Sequence, residues 1–366
     1  MLRLTLVLSL SLVIAAHAES LTSQLDVLRA VSREGAGNET ASNAWKEITQ
    51  SKASALPIIL AAMKGANPLA ENWLRAAVSV IEDRERENLP LAELNKFVKD
   101  TQHSPHARAL AFDMLSRHAK TDAEAMMMAL INDPSTELRR HPVGKLLEEG
   151  DAALAKKDNA AAISAYRKAL EGARDEDQIK ALTKKLRALN EKVDLPKHFG
   201  LLMSWKLIAP FNNADRKGFD EIYPPEKELN FSATYPGKGK EAKWVDFTST
   251  DDYGKIDFNK PFGMEKQVVG YAATEFVSDE EREAEIRLGC KNGWKVWLNG
   301  QLLFGRDEYH RGAKLDQYKL PCRLKAGKNT ILVKCCQNEQ TEQWTVEWEF
   351  QLRVCDATGT AIASAH

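Results

Sequence analysis

Six side chains in the C-terminal half of this chain have the types and spacing to hold a sugar-like ring: Trp294, Trp297, Tyr309, His310, Asp316 and Tyr318. A pyranose face needs an open aromatic face to stack on, and its hydroxyls need polar side chains beside that ring. Strand parity bears on which rings are open. If Val296 and Leu298 point into a core, Trp297 points outward with Lys295, and Trp294 lies at a strand end beside the turn Asn292-Gly293. The loop from Arg306 to Gly312 offers Tyr309 flanked by both charges, so this loop with Trp294 is the candidate site. The competing expectation is that the aromatic loop only packs over the rim of a sheet sandwich or onto the helical half.

Other constellations point to less. His103 and His106 sit three apart around Pro105, yet no third ligand lies at a telling spacing, and no metal site is expected. Asp251, Asp252 and Asp257 surround Gly254 without the EF-hand spacing and read as an acidic turn. Pro236-Gly237-Lys238-Gly239-Lys240 lacks the Lys-Ser/Thr ending of a phosphate loop and reads as a flexible hairpin. No G-x-S-x-G or H-E-x-x-H motif occurs. His310 near Asp307 and Glu308 has the makings of a base but no nucleophile stands out, so no enzyme and no cofactor are expected.

The whole chain has 366 residues, 43% hydrophobic and 28% charged, with a net charge of -1. That balance excludes a disordered chain and argues against a nucleic-acid partner. Its residues are unevenly placed: six of eight Trp, six of seven Tyr, 14 of 20 Gly and all five Cys lie after position 196. Two domains of different class follow. Met1-Leu2-Arg3, an apolar run from Leu4 to Ala16 and Ala16-His17-Ala18 have the order of a signal peptide, residues 1–18, predicting an exported (periplasmic or secreted) protein with no membrane span. Export permits disulfides, but Cys290, Cys322, Cys335, Cys336 and Cys355 are odd in number and lack C-x-x-C spacing. They read chiefly as small core hydrophobes, with the neighbours Cys335 and Cys336 on opposite strand faces.

From Leu21 to about Asn190 the chain is rich in Ala, Leu, Lys and Glu, the composition of stacked helices. Arg75, Arg108 and Arg139 recur every 31 to 33 residues, each after a Pro suited to a helix's first turn. This pattern predicts an α-solenoid over 19–148 and resembles HEAT-like repeats. Gly150-Asp151-Ala152-Ala153 with Asn159 to Leu170 resembles one tetratricopeptide hairpin, opening a segment at 149–195. The run Glu82 to Glu87 reads as a solvated helix end, and Met126-Met127-Met128 as helix core.

From 196 the hydrophobic period becomes two. Trp344, Val346, Trp348, Phe350, Leu352 and Val354 alternate with polar residues, predicting an eleven-residue strand with one buried face. Strands are also expected near 268–277, 283–288, 295–303, 317–324 and 330–336, with turns at Asn292-Gly293, Asn299-Gly300 and Lys325 to Asn329. An antiparallel β-sandwich over 196–358 follows, with a tail at 359–366. The run Leu288 to Gln301, containing Trp297-Leu298-Asn299-Gly300, followed by Leu324-Lys325-Ala326-Gly327-Lys328-Asn329, resembles the galactose-binding-like jelly roll. Trp205 to Phe211 and Tyr223-Pro224-Pro225-Glu226 are similar to the opening of its exported bacterial version. The resemblance implies a non-catalytic module with carbohydrate as candidate ligand and a protein partner on the helices. The alternatives are a purely structural assembly factor and, further off, a hydrolase.

Overall fold

The structure, a computed structural model, describes residues 20–365; the expected signal segment lies outside the described residues. The chain is α + β and divides into two compact units, Met1–Glu191 and Lys192–His366. The first is helical and the second antiparallel sheet.

In the helical unit, successive helices bury apolar faces on one another. Pro68–Arg84 starts where the Asn67 side chain accepts from the amides of Leu69 and Ala70, both at 3.0 Å. Leu91–Lys99 packs on Pro105–His118, and Thr136–Ala155 packs on Asn159–Gly172. The three recurring arginines take two different fates. Arg108 is 1% exposed, donates to both carboxylate oxygens of Asp133 at 2.8 and 2.6 Å and to the Val98 carbonyl at 2.7 Å. Arg139 reaches the Asp133 carbonyl from the next helix, whereas Arg75 is exposed. Asp133 therefore ties helix Pro105–His118 to helix Thr136–Ala155, across the intervening helix Lys120–Met127, through buried, charge-assisted bonds.

Helix Thr136–Ala155 runs through the boundary expected at 148. Gly150 does not break it, because the glycine makes room for Tyr166: a Cβ there would lie 2.3 Å from the Tyr166 ring. We expect Gly150→Ala to cost about 1–3 kcal/mol by overpacking, read as a lowered denaturation midpoint by circular dichroism at 222 nm. Glu82 also departs from expectation. It is 8% exposed and binds Arg117 at 2.9 and 3.0 Å and His118 at 2.9 Å, so the charged run is not wholly solvated. Of the three methionines, Met126 is buried and Met128 exposed.

The sheet unit has eleven strands: β1 (Ser204–Asn212), β2 (Thr234–Pro236), β3 (Glu241–Thr248), β4 (Ile256–Asp257), β5 (Val268–Ser278), β6 (Arg282–Cys290), β7 (Gly293–Leu298), β8 (Gln301–Arg306), β9 (Tyr318–Leu324), β10 (Gly327–Gln337) and β11 (Glu349–Cys355). They form a seven-stranded sheet, β2-β3-β1-β5-β10-β7-β8, and a four-stranded sheet, β4-β11-β6-β9. Trp205, Leu207, Phe276, Val296 and Val333 of the larger sheet share one core with Ile286, Leu288, Phe350, Leu352 and Val354 of the smaller. The region expected as one strand at 295–303 is a hairpin. Asn299 and Gly300 both take positive φ, 52° and 80°, which the two-residue turn of a hairpin demands. Asn329 holds the neighbouring turn, donating to the carbonyls of Lys325 and Gly327 and accepting from Asn299 at 2.9 Å.

The eleven-residue strand is shorter than its alternation suggests. β11 starts at Glu349, residues Gln343–Thr345 form a 3-10 turn, and Trp344 is 59% exposed. Gln337 causes the break: its amide donates to the carbonyls of Thr345, Val346 and Glu347 at 3.1 to 3.3 Å, taking the place of ladder partners. Every residue of β11 is buried, so the second face is covered too. The 236–240 hairpin is likewise tied down, with the Lys238 ammonium on the carbonyls of Lys266 and Gln267 at 2.7 and 3.1 Å.

Candidate functional site

The six candidate side chains do not converge; they fall in four places. Trp297 points outward as parity predicts, but it is only 8% exposed. It belongs to a second apolar layer on the outer face of the larger sheet, with Ile208, Tyr271 and Leu332, overlaid by Phe219, Tyr223 and Leu229. The strap 213–231, distant in sequence, covers most of that ring, and what stays open lines a cavity of about 400 Å³ with Glu226, Leu229 and Asn299. Lys334 pins the strap: it is fully buried and donates to the Phe219 and Glu221 carbonyls at 3.0 and 2.7 Å and to Glu226 at 2.8 Å.

Asp316 is also spent on structure. It lies on the outer side of the smaller sheet and receives two bonds from Arg353, both 2.6 Å, and one from Arg287 at 2.7 Å. Those arginines are 2% and 5% exposed. Burial alone would raise the Asp316 pKa, but the hydrogen bonds and charges of Arg353 and then Arg287 outweigh it and hold the carboxyl below its usual range. The carboxylate is held by two buried guanidiniums, with Glu285 as the second counter-charge on Arg287, so it is not offered to a ligand.

Tyr309 and His310 form the third place. The Tyr309 hydroxyl accepts from Asn213 at 3.2 Å, the Arg216 guanidinium lies 5.2 Å from its ring centre, and burial pushes its phenol well above the ordinary value. His310, at φ 60°, meets Asn338 at 3.1 Å and stands edge-on to Trp344 at 5.2 Å. Glu308 pairs with Arg306 at 2.9 Å rather than with His310. Asp307 is hydrogen-bonded to Tyr309, and burial raises its pKa.

The fourth place is the open edge between the two sheets, where β8 and β9 run side by side. Trp294, expected as a ligand-facing ring, is fully buried behind it, its ring tilted against those of Tyr318 and Phe304 with centres 4.7 and 6.1 Å away. The strand that carries Trp294 turns its ring into the inter-sheet core, so it can position Tyr318 but not touch a ligand. In front of it, Phe304 is 47% exposed, and the Arg306 guanidinium lies 5.9 Å from the ring centres of both Phe304 and Tyr318. A cavity of about 370 Å³ opens here, with Gln317 and Lys319 also on its wall. That volume falls in the lower part of the range for small-molecule sites, about 300–1,000 Å³. Burial raises the Tyr318 pKa, which keeps a neutral hydroxyl able to donate and accept. Glu308 engages one nitrogen of Arg306 among five N–H donors.

A larger groove of about 820 Å³ crosses the outer face of the larger sheet past Phe231. Its Lys206 ammonium is committed to Asp246 at 2.6 Å and lies 5.6 Å from the Phe231 ring centre, so ring and cation already serve each other. Phe304 is the residue that sequence reasoning missed. Plain alternation could not have found it: a bulge between Leu302 and Phe304 sets Leu302 opposite Trp297 of the outer face and Phe304 opposite Val296 of the core face, although both are about half exposed, 48% and 47%. Among the described residues no cluster of three or more His, Cys, Asp or Glu could hold a metal ion. No described helix is long and apolar enough to cross a membrane.

No family model matches the chain, and no curated protein matches it. Among solved structures it is similar to beta-glucosidase from Kluyveromyces marxianus in complex with glucose, at 12% identity over 43% of this chain and 16% of that one, TM-score 0.26. A second structure of beta-glucosidase from Kluyveromyces marxianus aligns at 11% identity over 47% of this chain and 21% of that one, TM-score 0.24. An alpha-xylosidase from Xanthomonas citri aligns at 10% identity over 43% and 16%, TM-score 0.21. The chain thus spans about a fifth or less of the length of these enzymes. Likeness at this level carries no conclusion about activity.

Proposed function

We propose that this chain is an exported, non-catalytic binding and scaffold protein. In this reading the helical unit is an α-solenoid with HEAT-like and tetratricopeptide-like repeats that contacts protein, and the sheet unit is a galactose-binding-like jelly roll that takes carbohydrate. Helices Pro105–His118 and Thr136–Ala155, tied through Asp133, support the first part, and two antiparallel sheets around one core support the second. One observation carries the carbohydrate reading: an exposed Phe304 ring beside Tyr318, Arg306 and Gln317 in a cavity of about 370 Å³. An aromatic face flanked by a planar donor and a neutral hydroxyl is what a sugar ring requires, while the Gln317 amide, bonded to Cys290 and Gly312, shapes the wall.

The test is a glycan array on the purified chain followed by calorimetric titration of the best ligand. Phe304→Ala is expected to weaken binding about tenfold, equivalent to about 1.4 kcal/mol, without lowering the unfolding midpoint. The second reading, an assembly factor that contacts only proteins, is favoured by the burial of Trp294 and Trp297 and the packing of Tyr309. An array without any bound glycan would select it.

A further inference from the structure

All five cysteines are buried and unbridged, but two of them face each other across the core. Cys290 ends β6 in the smaller sheet and Cys335 lies in β10 of the larger one, with their sulfurs 3.9 Å apart. The Cys290 thiol reaches the Glu349 carbonyl at 3.4 Å, which leaves the Cys335 thiol as donor to the Cys290 sulfur. We propose that Cys290 and Cys335 are the two halves of a disulfide that staples the two sheets when the chain folds in the presence of a disulfide donor.

A disulfide places its sulfurs about 2.05 Å apart, so the pair must close by a little under 2 Å. The other three are placed differently. Cys322 pairs with Ala284, six residues from Cys290 along β6, or about 20 Å away. Cys355 pairs with Glu285, and Cys336 lies in the outer layer on the opposite face of β10 from Cys335.

The chemistry is thiol–disulfide exchange. One cysteine thiolate attacks the donor and releases a small thiol; the second attacks the mixed disulfide and releases another. The two protons end on the two small thiols, the protein pair is oxidised by two electrons, and the donor is reduced by two. Burial holds the Cys335 thiol well above its ordinary pKa, which suppresses its thiolate in the folded chain. Exchange therefore belongs to the folding chain, before the sheets close. In the cell it needs the exported setting proposed above; the pairing itself does not.

The full chain is refolded from denaturant in reduced and oxidised glutathione, its thiols are counted after denaturation, and a peptide map is made without reductant. Expected are three free thiols, a Cys290–Cys335 linked peptide, and a thermal midpoint that falls when reductant is added. The Cys322→Ala/Cys336→Ala/Cys355→Ala chain is expected to keep the link. Five free thiols in the wild type, a different pairing, or an unchanged midpoint overturns the proposal. Because refolding is done in vitro, failure here is distinct from failure of export, which cell fractionation reads.

Discussion

Replacing Asp316 by Ala is expected to lower the stability of the sheet unit by about 3–5 kcal/mol, because it strands Arg353 in a buried site. Arg353 is left with only the carbonyls of Phe199 and Gly359, at 3.0 and 2.9 Å, while Arg287 keeps Glu285 at 2.7 Å. Denaturant unfolding followed by tryptophan fluorescence reads the change, since six of eight Trp lie in this unit. The effect has a signed pH dependence. A depressed folded-state pKa contributes stability that is fully present above the unfolded value of about 3.9 and is lost as pH falls through the folded value. The gap between wild type and Asp316→Asn is therefore expected to be constant from pH 5 to 7 and to shrink below about pH 4. A gap unchanged at low pH would contradict the charge assignment.

The second large effect is expected at Lys334. Lys334→Ala removes an ammonium that satisfies two carbonyls and Glu226, and it leaves a carboxylate that is 9% exposed with Tyr271 as its remaining partner. The cost is about 3–5 kcal/mol, with the strap 213–231 becoming a site of limited proteolysis. Lys334→Met with Glu226→Gln is expected to recover part of that loss, because the double change removes both charges and keeps the volume. Equal loss in the single and double variants would show that the ion pair does not hold the strap.

Local chemistry was legible in the sequence wherever it depends on near neighbours. Alternation placed Trp348 in the core and pointed Trp297 outward, and Asn299-Gly300 announced a turn. Coverage was not legible, because distant segments supply it. The strap 213–231 buries Trp297, and Arg287 and Arg353, separated by 66 positions, meet on Asp316. Trp344 shows the converse: its alternation was right for a strand, but the Gln337 amide captured the carbonyls that the strand would have used. Of the candidate site, Tyr318 stayed at an open edge. Trp294 became the buried ring behind it, and Phe304 took the exposed position.

The central proposal, carbohydrate taken at the β8–β9 edge, is tested most directly by titrating the array-selected glycan into wild type, Phe304→Ala and Arg306→Ala. Expected is saturable binding by the wild type, weakened about tenfold in each variant with unfolding midpoints unchanged. Binding of equal strength in all three, or no binding by the wild type to any glycan, would contradict it.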